Sequence, residues 1–105
     1  MRLLLDTHVF LRWIEGSYVS AKAHHAMANA DNELVLSLAS IWEIAIRLSV
    51  GKLRIPAPFE RHIPRQLALN QITQLEIGFR HVARVAKMPF HHRDPFDRLI
   101  IAQSL

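Results

Sequence analysis

No cysteine occurs in the 105 residues, which excludes disulfide scaffolds, thiolate nucleophiles and cysteine-based zinc sites, and nothing requires an oxidising compartment. No stretch approaches the roughly 18 uncharged apolar residues of a membrane span. The apolar opening Met1-Arg2-Leu3-Leu4-Leu5 is interrupted by Asp6, Arg12 and Glu15 before it reaches the length of an export signal. Repeats and low-complexity segments are absent too, and the length leaves no room for a second core. These absences point to one soluble, cytoplasmic domain over residues 1–105. What is present is ordinary for a globular protein: 50% hydrophobic and 21% charged residues. Thirteen Lys and Arg against nine Asp and Glu give a formal charge of +4, and ten of the thirteen are arginine, whose planar fork suits phosphate oxygens. That balance admits a nucleic-acid substrate without requiring one.

Hydrophobic spacing gives the organisation. Residues 2–5 form a short apolar run ending at an acid, as a buried parallel strand does. Residues 7–14 place Val9, Phe10, Trp13 and Ile14 at helical spacing, broken by Gly16 and Ser17. A second, alanine-rich helix spans 20–30 and a second strand 34–36. A third helix starts at Ser40, with Ile41, Ile44, Ala45 and Leu48 on one side, and ends at Gly51. Residues 59–69 are helical despite Pro64, residues 72–77 make a third strand, 79–87 a helix stopping before Pro89, and 95–105 a last helix. Strands alternating with helices specify an α/β domain, a parallel sheet covered by helices. Three strands followed by a helix leave the first strand at most one partner unless it is central. An unpaired apolar strand is an aggregation hazard, so a C-terminal strand is expected to be missing.

Ligands of open α/β sheets gather at the carboxyl ends of the strands, and the acids sit there. Asp6 follows Leu3-Leu4-Leu5 directly, although it also suits an N-cap. Glu43 lies just past the second strand, but Ser40 and Glu43 have the spacing of a capping box, and Glu43 and Arg47 that of a solvated ion pair. Asp94-Pro95-Phe96-Asp97 is a well-formed helix start, with cap and dipole enough to account for both acids. Capping does not explain why all four acids fall where the chain begins helices, two of those starts directly after strands. If they converge, two carboxylates about 4 Å apart repel by roughly 4 kcal/mol at an effective dielectric near 20, so a cluster calls for a cation. Oxygen donors without cysteine favour Mg²⁺ or Mn²⁺, the chemistry of phosphodiester hydrolysis. Arg47, Arg93 and Arg98 stand near the acids in sequence, where they would neutralise them or grip phosphates; Arg98 also pairs by spacing with Asp94. His91 and His92 fit an exposed loop better than a ligand set, and Trp13 and Trp42 at helical spacing fit the core better than a stacking platform.

Three segments in order, Leu4-Leu5-Asp6-Thr7-His8, Ser37 to Arg47 with its Trp42-Glu43 pair, and His91 to Gln103 with Asp94-Pro95-Phe96-Asp97, resemble PIN-domain proteins of the VapC type. The resemblance implies a three-layer αβα sandwich, a metal-dependent endoribonuclease active as a toxin on RNA, a cognate antitoxin that neutralises it, and a homodimer. By that resemblance Asp6, Glu43 and Asp94 are the catalytic and metal-binding acids, with Asp97 an auxiliary. Thr7 and Ser40 support the acids through hydrogen bonds, and Arg47 is a basic position after the Trp-Glu pair. Family members continue past the Ala102-Gln103 helix into further strands, so the sequence reads as a C-terminally truncated domain. An inactive module that binds antitoxin or another copy is the alternative. A DNA-directed nuclease of the same fold stays open, whereas a phosphoaspartate receiver would need an early acidic pair and a late lysine that are not found.

Overall fold

A computed structural model describes residues 1–89 and 94–104. The order is β1 (Arg2–Leu4), α1 (Thr7–Glu15), α2 (Ala21–Ala28), β2 (Glu33–Ser37), α3 (Leu38–Ser49), α4 (Phe59–Leu69), β3 (Ile72–Leu75), α5 (Phe79–Lys87) and α6 (Pro95–Ser104). The three strands form one parallel sheet in the order β1-β2-β3. Leu3 pairs with Leu34, and Leu34 in turn with Ile72. The central strand β2 is buried from Leu34 through Ser37, as its uninterrupted apolar run requires. Among the described residues β1 is an edge strand whose partner is β2, as the element count implied. No helix of the described residues is long and apolar enough to cross a membrane.

The core lies where α1, β2 and α3 meet. Phe10, Leu36 and Ile44 are fully buried and Val35 nearly so, each side chain adding about 1.5–3 kcal/mol of burial. Ile63 and Leu67 of α4 and Ile72 of β3 extend the cluster. That packing accounts for α4 running through Pro64, which lies on its exposed side despite a cost of about 3 kcal/mol within a helix. At the end of α1, Gly16 takes φ 72° and Ser17 N–H donates to Arg12 O at 2.9 Å; Gly51 repeats this after α3, with φ 76° and Lys52 N–H on Arg47 O at 2.9 Å. A side chain in this left-handed region costs about 1–2 kcal/mol, so each glycine ends its helix.

One local reading needs correction. The third helix starts at Leu38, not Ser40, because β2 passes into it without a loop. Ser37 is both the last residue of the strand and the helix cap, its Oγ accepting from Ala39 N–H at 3.0 Å. Ser40 is therefore already inside the helix, and the capping box read for Ser40 and Glu43 does not form.

Candidate active site

Asp6 stands at the carboxyl end of β1 and caps α1. Its Oδ1 accepts from His8 N–H at 2.8 Å and Val9 N–H at 3.3 Å, and the side chain is 63% exposed. The cap occupies one carboxylate oxygen and leaves Oδ2 for another ligand. Thr7, next in the chain, is buried and donates from Oγ1 to the buried Ser40 Oγ at 2.8 Å. Thr7 and Ser40 therefore bond one another rather than the acids. What they fix is the first turn of α1 against the first turn of α3, and so the spacing of the elements that carry Asp6 and Glu43.

Glu43 lies one turn beyond Ser40 on α3 and is only 12% exposed. With the capping box gone, its burial has no helix-terminal explanation. Its charge is met by Arg47, whose Nη2 lies 3.0 Å from Oε2. The same Nη2 is 3.2 Å from His8 Nε2. A guanidinium donates and never accepts, so His8 Nε2 is the acceptor in this contact, while His8 Nδ1 stands 3.6 Å from Asp6 Oδ1. His8, Arg47 and Glu43 are thus linked between the starts of α1 and α3, with Asp6 next to His8.

Asp94 completes the edge from α6. Its Oδ1 accepts from Phe96 N–H at 2.8 Å and Asp97 N–H at 3.2 Å, the cap its sequence implied. A cleft of about 510 Å³ is lined by Glu43, Ile46, Arg47, Val50, Lys52, Asp94 and Phe96, so α3 and α6 bring two of the acids to one opening. Asp97 is exposed in the same first turn of α6. Arg98 does structural work, its Nη2 donating to Val85 O of α5 at 2.9 Å. His91, His92 and Arg93 lie outside the described residues.

The platform beneath these groups rests on Gln103. Ser37 Oγ donates to its Oε1, and its Nε2 donates to Glu76 O at 3.2 Å and approaches His81 Nδ1 at 3.4 Å. His81, buried on α5, accepts from Gly78 N–H at 2.9 Å. Burial first, then the cations Arg80 and Arg84, push its pKa below the ordinary histidine value. One amide thus ties α6 to the ends of β2 and β3 and to α5. Sequence reasoning missed both Gln103 and His8. The position of His8 beside Asp6 was a signal for the second, whereas nothing local marks the first.

The donor chemistry at this edge fits a hard divalent cation, since Asp6, Glu43 and Asp94 each keep a carboxylate oxygen unclaimed by the contacts above. Yet among the described residues no three His, Asp or Glu side chains lie close enough to form a ready cage. In this arrangement the guanidinium of Arg47 supplies the positive charge between the acids.

Against known proteins, the family model described as PIN domain matches residues 3–105. The chain is also similar to Ribonuclease VapC16 of Mycobacterium tuberculosis, with 36% identity over 52 residues, 50% of this chain and 37% of that protein. The match therefore spans well under half of that relative's length. No solved structure matches.

Proposed function

This chain belongs to the PIN-domain family, and from that membership we propose that it is a metal-dependent endoribonuclease toxin of the VapC type, hydrolysing RNA phosphodiester bonds and neutralised by a cognate antitoxin. One observation carries the proposal: Glu43, mostly withdrawn from solvent, lines one cleft with Asp94 and has no helix cap to account for its position. The relative named a ribonuclease supports RNA as the substrate.

In this reading Asp6, Glu43 and Asp94 hold Mg²⁺ or Mn²⁺, with Asp97 an auxiliary acid. Bound there, the cation would lower the pKa of water and take up negative charge from the scissile phosphate. The chain's own residues set the geometry. The Thr7–Ser40 bond holds α1 to α3, and the caps on α1 and α6 fix one oxygen of Asp6 and of Asp94 while leaving the other free of the cap. Arg47 and Lys52 line the cleft as the cations nearest an incoming phosphate.

The test is cleavage of RNA by the purified chain with and without Mg²⁺ or Mn²⁺, beside Asp6→Asn and Glu43→Gln, with Mn²⁺ binding followed separately by its paramagnetic resonance. Metal-dependent cleavage is expected, with both variants losing cleavage and weakening Mn²⁺ binding. Undiminished cleavage by Glu43→Gln would sink the reading. A second reading is an inactive module that pairs with antitoxin or another copy. It is favoured by the apolar part of a groove of about 440 Å³ that crosses the sheet, where Leu3, Leu4, Val35 and Leu75 lie with Arg2, Gln103 and Ser104. Intact RNA together with retained antitoxin binding would establish it.

A further inference from the structure

Trp42 does not join the core that its helical spacing suggested. It is 56% exposed, and among the described residues its indole N–H has no hydrogen-bond partner. It is nonetheless held in place, because its ring meets that of Phe96 edge to face, with 5.0 Å between centroids and 81° between planes. Each member of this pair stands beside an acid: Trp42 immediately precedes Glu43, and Phe96 follows Asp94 by two residues. Phe96 also lines the cleft that holds both acids. Along the same cleft lie Arg47 and Lys52, the second with no partner among the described residues.

A large exposed aromatic, braced by a second ring that itself shares a cleft with two cations, suits a ligand that is flat and apolar on its face and anionic along its backbone. An apolar protein surface could cover Trp42, Ile46 and Val50, but it would leave the ammonium of Lys52 and the chain's net charge of +4 without a counterpart. Single-stranded nucleic acid uses all of these, because its unstacked bases seek aromatic faces and its phosphates seek cations. We infer that Trp42, backed by Phe96, is a base-stacking subsite that seats an unpaired base of single-stranded RNA beside Glu43 and Asp94, with Lys52 and Arg47 meeting the flanking phosphates. The inference rests on the nuclease reading and adds to it the side chain that would contact a base, since a base inside a duplex has both faces already covered.

The experiment separates the two claims by measuring binding without turnover. With EDTA present, a short single-stranded oligoribonucleotide is titrated into the whole protein while tryptophan fluorescence is followed. A strand of equal length and charge but without bases serves as the comparison, and Trp42→Phe assigns the signal, since Trp13 is the other indole. The expected result is quenching that Trp42→Phe loses, about tenfold tighter binding of the base-bearing strand than of the abasic one, and weak competition by duplex RNA. Equal affinity for the two strands would overturn the subsite, as would RNA binding that leaves Trp42 fluorescence unchanged. Burial of Trp42 against acrylamide in a nucleic-acid-free dimer would also overturn it and give the face to a second copy. Base-dependent quenching without cleavage in Mg²⁺ or Mn²⁺ would leave the subsite standing and defeat the nuclease reading. Cleavage whose KM is unmoved by Trp42→Leu would do the opposite.

Discussion

The helix starts of α3 and α6 each bring an acid to the same cleft, by opposite means. At α6 the acid is the cap itself: Asp94 is exposed and spends Oδ1 on two backbone N–H groups. At α3 the cap is Ser37, and Glu43 sits further along, mostly buried and balanced by Arg47. A capping acid stabilises the fold whatever else it does, whereas a buried acid that caps nothing draws on an ion pair to offset its desolvation. Stability and catalysis should therefore separate differently at the two sites.

The sharpest way to break that comparison is Asp94→Asn. Asparagine caps as well as aspartate, so the melting temperature should hardly move while metal-dependent cleavage falls at least about a hundredfold. A large loss of stability with cleavage preserved would make Asp94 a cap and nothing more. Glu43→Gln should match it in lost activity but leave Arg47 facing a neutral amide. Chemical denaturation should then show a loss of about 1–3 kcal/mol, in contrast to Asp94→Asn. Next in size is Thr7→Val, which removes the donor to Ser40 Oγ inside the core. It should cost roughly 1–2 kcal/mol, or several degrees in Tm at this size, and Thr7→Val with Ser40→Ala should cost less than the sum of the two single changes.

The smallest effect concerns the support rather than the acids. His81 is held neutral by burial, so its folded pKa lies below the ordinary value of 6.5. A lowered histidine pKa means that the unfolded chain binds more protons in that range. The contribution of His81 is therefore complete above about pH 6.5 and declines as pH falls through the folded pKa. Urea midpoints between about pH 7 and 5 should drop in the native chain and drop less in His81→Gln, and parallel profiles would rule this out.

Much of this was readable in the sequence because local rules carried it. The continuous apolar run of 34–36, the glycines at 16 and 51 and the Asp94-Pro95 start each name their structure without reference to distant residues. The limit shows at Ser40, where local spacing favoured a cap and the observed cap is three residues earlier, because the strand turns into helix with no loop and Ser37 takes both roles. Trp42 is a second case: its spacing is that of a core residue, and its exposure follows from where α6 packs. Of the candidate site, Glu43 and Asp94 share one cleft, while Asp6 stands apart from that lining at the end of β1. The His8–Arg47 link and the Gln103 junction depend on contacts across 39 and 66 residues, and no local pattern encodes those.

That last junction has a consequence for when the protein becomes competent. The bonds of Gln103 to Ser37 and Glu76 hold α6 at the ends of β2 and β3, and α6 is the element that carries Asp94. During synthesis, which adds about 5–20 residues each second, Asp6 and Glu43 emerge several seconds before Asp94. A nascent chain on the ribosome, surrounded by RNA, therefore lacks a finished cleft until α6 has left the exit tunnel and Gln103 has found its partners.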